Sequence, residues 1–174
     1  MRNLLIAAAA SAMVLGGCTT NMADGGPAVA GDMTPEDRMG YVTMAAASDL
    51  FEIQSSQLAL SRAQRQEVRD FAQMLVTHHT QTTQQLTTAA QAAGMSPPAP
   101  TLMPMQARMM EELQQASGAN FDRVYMRQQV PAHEMALALH SNYAARGDTP
   151  ALQAVAGAAV PIVQQHLDRA RQLD

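Results

Sequence analysis

Histidine and glutamate side chains at helical spacing are the residues of this sequence best suited to chemistry. The stretch MLVTHHTQTT places His78 and His79 side by side, and His79 falls on the apolar series of its segment. His133 and His166 fall on or beside apolar stripes of later segments, and Glu52 flanks an earlier stripe. Imidazole and carboxylate groups together suit Zn, Fe, Mn or Cu. These residue types predict a metal site if the fold brings them together.

The segments that carry these residues have the pattern of amphipathic helices. We predict long helices at about 35–60, 66–93, 120–146 and 150–173, and a short one at about 105–116. Thr34, Asn120 and Thr149 are the expected N-caps, and Gly94 is the expected C-cap. Strand alternation does not occur. The pattern predicts an all-α four-helix bundle over residues 34–174, with a short extra helix between helices 2 and 3.

Counting residues from the two predicted turns places four polar groups at one height of the bundle. At 1.5 Å per residue, Glu52 and His79 lie about 18 and 22 Å from the first turn. His133 and His166 lie about 22 and 27 Å from the second turn. We therefore predict that one carboxylate and three imidazoles, one from each long helix, meet inside the bundle.

Two interpretations of this polar layer remain open at the level of sequence. Its four groups bind one transition-metal ion, or they form a closed hydrogen-bonded network in which Glu52 accepts from the imidazoles. Asp49 is expected to lie turns away from the layer. The expected neighbours of the layer are His78, Tyr125 and His140, with His140 also a candidate additional ligand.

Methionines form a second candidate site. The stretch LMPMQARMM places Met103, Met105, Met109 and Met110 close together. Thioethers are soft ligands that suit copper(I). Methionine is also a common filler of apolar contacts, so the alternative is that the short helix uses these side chains to cover the bundle.

The N-terminus has the pattern of a bacterial lipoprotein. Arg2 precedes an apolar run that is too short to span a bilayer, as in a signal peptide. Leu15-Gly16-Gly17-Cys18 resembles a lipobox, which implies cleavage after residue 17 and acylation of Cys18. Residues 1–17 are thus the predicted signal peptide, and residues 18–33 a flexible tether. Thr19 after the cysteine implies sorting to the outer membrane, facing the periplasm, with lipid on Cys18 as the membrane partner.

Composition argues against several other functions. All eleven cationic side chains are arginine and the net charge is −4, so nucleic-acid binding has no electrostatic support. Cys18 is the only cysteine, which rules out an intramolecular disulfide. The sequence shows no Ser/His/Asp order, phosphate-binding loop or free nucleophilic thiol. We therefore expect no enzymatic activity.

Four stretches together resemble the bacterial domain-of-unknown-function family 4142 (DUF4142). They are DLFEIQSSQLAL, VRDFAQMLVTHHTQTTQQL, SGANFDRVYMRQQVPAHEMALAL and AVPIVQQHL. The resemblance implies a ferritin-like fold and export, but no established activity. The family usually has Asp-His in helix 2, where this chain has His78-His79. Di-iron chemistry is not expected, because the Glu-x-x-His pairs of ferritin-like di-iron proteins are missing from the sequence.

Two functions fit these observations. The first is an outer-membrane lipoprotein whose bundle binds one metal ion or small ligand through Glu52, His79, His133 and His166. The second is a structural or interaction protein of the cell envelope, concerned with stress tolerance, in which the polar layer is only an internal network.

Overall fold

The computed structural model describes residues 34–174 as five α-helices. They are α1 Arg38–Arg62, α2 Gln66–Ala92, α3 Pro104–Gln115, α4 Ala119–Arg146 and α5 Pro150–Leu173. These residues contain no strand, so the predicted all-α bundle with a short extra helix is confirmed. None of the five helices has both the length and the apolar character needed to cross a membrane. The predicted signal peptide (1–17), the lipidation site Cys18 and the tether (18–33) lie outside the described residues.

Helix α1 begins later than the sequence pattern predicted. The N-cap is Asp37, whose carboxylate accepts the N–H of Gly40 at 2.8 Å, so the prediction of Thr34 was wrong. The residues before Asp37 form tertiary contacts instead of a first turn. The Glu36 carbonyl accepts the N–H of Asp148 at 3.1 Å, which attaches this segment to the turn between α4 and α5.

Two glycines with positive φ mark helix ends. Gly94 has φ +72° and follows Ala93, the C-cap of α2, so the prediction of Gly94 as the cap was wrong by one residue. Gly118, with φ +54°, precedes α4 and is its N-cap, so the prediction of Asn120 as the cap was wrong by two residues. Thr149 stands at the N-cap of α5 as predicted, although its side chain makes no capping hydrogen bond.

Two helical hairpins form the bundle. α1 pairs with α2 and α4 pairs with α5, while α1 also packs against α4 and α2 against α5. α2 and α4 therefore lie on one diagonal. At one end of the bundle the Arg38 side chain reaches the Ala93 carbonyl at 3.5 Å. At the other end the Arg65 guanidinium donates to the Leu173 carbonyl at 3.0 Å.

The connection between α2 and α4 crosses the full length of the bundle, a point that the sequence left open. α2 ends beside the start of α1, whereas α4 starts beside the start of α2. The second contact is made by Asp122 of α4, whose carboxylate accepts the N–H groups of Gln64 and Arg65 at 2.8 Å each. α3 lies within this connection and packs against α1 and α4. One long crossover is the connectivity of ferritin-like bundles.

A polar layer at mid-height divides the core into two apolar clusters. The first cluster includes Val68, Phe71, Leu75, Phe121, Tyr125 and Leu173. The second includes Tyr41, Val42, Leu86, Leu139, Tyr143 and Leu152. Along each long helix, at least one buried polar residue lies between the members of the two clusters, and the layer takes one from each helix. These residues are Glu52, His79, His133 and His166.

Candidate metal centre

The imidazoles of His79, His133 and His166 meet inside the bundle, from α2, α4 and α5. Their ring centroids are 5.8, 5.3 and 5.4 Å apart. One ring nitrogen of each lies within 4.8 Å of the other two, and all three side chains are buried. A tetrahedral ion with bonds of about 2.0–2.1 Å holds its ligands about 3.3 Å apart. Small side-chain rotations would therefore bring the three nitrogens to one ion.

The outward nitrogens of His79 and His133 already have acceptors. His79 Nδ1 donates to Asp49 Oδ1 at 2.8 Å. His133 Nδ1 donates to the backbone carbonyl of Gln129, also at 2.8 Å. Because carboxylate and carbonyl oxygens only accept, each neutral ring keeps its lone pair on Nε2. Outward partners of this kind orient the histidine ligands of protein metal sites.

His166 is held by the other histidine of the adjacent pair. His166 Nε2 lies 2.8 Å from His78 Nδ1, and the two rings stack with centroids 5.1 Å apart. His78 is half-buried, between α2 and α5, so it connects the buried cluster to the surface. The sequence pattern predicted His78 beside the cluster, and His78 is in direct contact with a cluster imidazole.

The inward polar atoms of the layer have no hydrogen-bond partner within residues 34–174. These atoms are His79 Nε2, His133 Nε2, His166 Nδ1 and Glu52 Oε2. A buried polar group left unpaired costs roughly 1–3 kcal/mol, so four in one layer make it a candidate ligand site. A closed network would require imidazoles that donate to Glu52. Its Oε1 lies 3.8 Å from His133 Nδ1, beyond hydrogen-bonding distance.

Electrostatics of the layer favour a bound cation. Burial opposes a charge on His79, but the hydrogen bond and negative charge of Asp49 outweigh it and raise the pKa of His79. Burial, with the nearby His79, lowers the pKa of His133 to about 3. Burial also lowers the pKa of His166 to about 2, with further lowering by His79 and His133. The layer thus combines two imidazoles that stay neutral, as metal ligands must be, with one whose pKa is raised by a neighbouring carboxylate.

Glu52 lies beside His133, with Oε1 3.8 Å from Nδ1 of that ring, but it is outside the group of three convergent histidines. It is the candidate fourth ligand. It is buried, and burial raises the pKa of its carboxyl group to about 7, with His79 acting in the opposite direction. The carboxyl group is therefore poised to ionise near neutral pH when a positive charge arrives.

The prediction that Asp49 lies turns away from the layer was wrong, because Asp49 contacts His79. It is buried and accepts hydrogen bonds from His79, Thr82 and Thr83, the two threonine bonds at 3.0 Å. A signal for this contact was present in the sequence. Asp49 lies thirteen residues before Arg62, the end of α1, and His79 lies thirteen residues after Gln66, the start of α2. Residues equidistant from a hairpin turn lie at the same height.

Two predicted neighbours lie away from the imidazole cluster. His140 is buried with Nδ1 3.1 Å from the Tyr41 hydroxyl, and it is outside the group of convergent histidines. Tyr125 bonds the Ser56 hydroxyl at 2.8 Å and belongs to one of the apolar clusters. Both residues therefore support the flanks of the layer.

The predicted methionine patch is divided between the core and the surface. Met110 is buried with Phe51 and Ala132 in a small apolar cluster. Met103, Met105 and Met109 line a groove formed by α1, α3 and α4. Two further methionines that the sequence analysis did not connect with them, Met44 and Met135, line the same groove.

Comparison with protein families decides which family this sequence belongs to. The profile described as "Domain of unknown function (DUF4142)" matches residues 24–173. The chain belongs to the DUF4142 family. The resemblance expected from the sequence is thus confirmed over nearly the whole chain. No curated protein matches this DUF4142 chain.

Solved structures with a similar fold are helical bundles. CopM in its Cu(II)-bound form superimposes with a TM-score of 0.67 at 21% identity, covering 80% of this chain and 96% of CopM. The Cu(I)-bound form of CopM has a TM-score of 0.65 at 20% identity, and the match covers 78% of this chain and 94% of CopM. A DUF305 fragment from Deinococcus radiodurans has a TM-score of 0.68 at 18% identity, and the match covers 80% of this chain and 95% of the fragment. At such low identity, these similarities support the fold of the DUF4142 chain.

Proposed function

We propose that this DUF4142 protein is a binding module for one transition-metal ion, held by His79, His133 and His166 with Glu52 as the fourth ligand. The observation that carries the proposal is the arrangement of the three imidazoles. Each has an outward partner that fixes its ring, and each has an inward nitrogen without a partner. Preformed orientation of this kind is what metal ligands need.

Copper is the first ion to test, and zinc is the second. Neutral imidazole with one carboxylate accepts either ion, because both bind nitrogen and oxygen donors. CopM, whose fold is similar, has been solved in Cu(I)- and Cu(II)-bound forms. The layer is surrounded by apolar clusters and by groups that hold its ligands still, which suits binding and storage of an ion.

We propose further that the protein is an outer-membrane lipoprotein that presents its bundle to the periplasm. The support is the sequence Leu15-Gly16-Gly17-Cys18 after a short apolar run, together with Thr19 as the residue that follows the cysteine. Periplasmic exposure would bring the bundle into contact with metal ions that enter the cell envelope.

The metal site is tested by stoichiometry. The full chain, untagged and in a Cys18→Ser background, is loaded with Cu(II) or Zn(II) and desalted, and bound metal is measured by mass spectrometry. We expect about one equivalent in the unaltered site and less than a tenth of that in His79→Ala or His166→Ala. His140→Ala is the matched control, since it removes a buried imidazole outside the cluster.

Thermal unfolding separates the two candidate functions. An ion bound only to the folded state stabilises it, so the melting temperature should rise with metal and fall with chelator. A melting temperature that changes with neither metal nor chelator, together with no retained metal, would contradict the proposal. That result would favour the alternative, a structural or interaction protein whose polar layer is an internal network.

Lipidation is tested by metabolic labelling in a Gram-negative host with an alkyne-bearing fatty acid. The wild-type chain should incorporate the label and fractionate with the outer membrane. Cys18→Ser should lose the label and the membrane association, since no second cysteine is present. Equal labelling of the two chains would refute the anchor.

A further inference from the structure

The groove between α1, α3 and α4 is lined unusually by methionine. Its volume is about 380 Å³, and five of its thirteen lining residues are methionines. Met44 comes from α1, Met103 from the residue before α3, Met105 and Met109 from α3, and Met135 from α4. Met105 and Met109 are four residues apart, so they lie on one face of α3.

Packing alone does not explain these side chains. Met103, Met105 and Met135 are 40%, 43% and 43% exposed, and every large hydrophobic residue that is exposed within residues 34–174 is a methionine. Leucine or isoleucine would fill a core equally well, but they offer no donor atom. An exposed thioether keeps its sulfur lone pairs available to a soft ion.

The backbone around the groove is held in place. The Gln106 side chain accepts the N–H of Met103 at 2.8 Å, which orders the residue before α3. Gln128 of α4 donates to the Met109 carbonyl at 3.0 Å and to the Glu112 carboxylate at 3.0 Å. α3 is thus attached to α4, while the methionine side chains keep their own rotational freedom to surround an ion.

The donor set selects against hard cations. The residues that line this groove include no carboxylate, thiol or imidazole, and their one charged member is Arg108. Mg²⁺, Ca²⁺ and Zn²⁺ need oxygen, nitrogen or thiolate ligands. The positive charge of Arg108 also weakens binding that depends mainly on electrostatic attraction. A soft monovalent cation bound by thioethers is the ion that remains favourable.

We infer that this methionine groove is a second metal site, for Cu(I) or Ag(I), distinct from the imidazole cluster. None of the cluster histidines lines the groove. Phe51 and Ala132, which lie at its base, are buried and are chain neighbours of Glu52 and His133. One protein would then carry a surface site for the soft ion and a buried site for an ion that prefers imidazole.

Methionine methyl signals provide the direct test. The full chain in a Cys18→Ser background, so that no thiol binds the ion, is labelled with ¹³C-methyl methionine and titrated with Ag(I). The methyl signals of Met103, Met105 and Met135 should shift and saturate at about one equivalent, while the exposed Met39 outside the groove stays unchanged. Groove signals that do not move, or shifts spread equally over Met39, overturn the inference and leave an apolar docking surface.

Substitution gives an independent readout. Cu(I) affinity is measured without oxygen against bicinchoninate in a His79→Ala/His133→Ala background, so that the cluster does not contribute. Adding Met103→Leu, Met105→Leu and Met135→Leu should weaken the remaining Cu(I) binding at least tenfold, and Met39→Leu should not. Leucine conserves volume, so folding is retained. Unchanged Cu(I) affinity in the triple methionine variant overturns the inference. Loss of Cu(II) or Zn(II) in the histidine variants tests the proposed function and leaves this inference unaffected.

Discussion

At the scale of single residues, the carboxylate of Asp49 orients the candidate ligand His79. It is the only group within residues 34–174 that bonds the outward nitrogen of His79, and two threonine hydroxyls fix the carboxylate in turn. The negative charge makes the imidazole a better donor to a cation. It also raises the pKa of that ring, against the effect of burial.

Replacement of this charge should weaken metal binding while leaving the ligands in place. Asp49→Asn keeps the shape of the side chain, and we expect Cu(II) or Zn(II) affinity to fall by about 10–100-fold. In the metal-free protein, the pKa of His79 should fall, as measured by NMR titration of the ring. Asp70→Asn, an exposed carboxylate on the same hairpin, is the control. Equal affinities of Asp49→Asn and wild type would show that Asp49 has no positioning role.

At the scale of helices, one aspartate joins the two hairpins at the end of the bundle opposite the start of α1. Asp122 of α4 is buried, and its two oxygens accept the N–H groups of Gln64 and Arg65. These amides precede α2, which has no side-chain cap of its own. A residue of one hairpin therefore satisfies the backbone of the turn in the other.

Loss of this contact should destabilise the whole bundle. Asp122→Ala leaves two amides without their acceptor, and we expect the free energy of unfolding to fall by about 2–4 kcal/mol. Urea denaturation in the presence of chelator measures this change. Asp168→Ala, an exposed aspartate of α5, should change stability by less than about 0.5 kcal/mol. A loss below about 1 kcal/mol in Asp122→Ala would contradict the structural role given to this contact.

Helical periodicity was sufficient to predict the bundle, because apolar residues recur at helical spacing along each of the four long helices. It also identified the imidazoles, since a histidine on an apolar face is conspicuous. Tertiary contacts were harder to predict. Thr34 has the features of an N-cap, but Asp37 caps α1, and the preceding Glu36 contacts the distant Asp148. The methionine groove could not be predicted without the path of the crossover, which brings α3 beside α1 and α4. Helical periodicity contains no information on that path.

At the scale of the whole molecule, the buried imidazoles make metal-free stability depend on pH. Burial lowers the pKa of His133, His140 and His166 to about 3, 4 and 2, so these rings stay neutral in the folded state at mildly acidic pH. In the unfolded chain they bind protons below about pH 6.5. The unfolded state therefore binds more protons, and stability falls as pH drops.

Glu52 acts in the opposite direction between pH 4.5 and 7, because the folded state binds its proton while the unfolded state does not. His79, whose pKa is raised, also acts in the opposite direction near pH 6.5. The three histidines with lowered pKa outweigh these two groups. We expect the metal-free protein to be at least about 1 kcal/mol less stable at pH 5 than at pH 6.5 by urea denaturation. His140→Gln should reduce this difference, because it removes one of the three rings. Equal stability at the two pH values would show that the rings are not held neutral.

The three imidazoles are shared between the two hairpins, with His79 on the first and His133 and His166 on the second. Along the chain, these hairpins are joined solely by the crossover. An ion coordinated by all three rings would therefore act as a cross-link between the two hairpins. The holo protein would open as a single cooperative unit, so the ion would not leave until that unit opened.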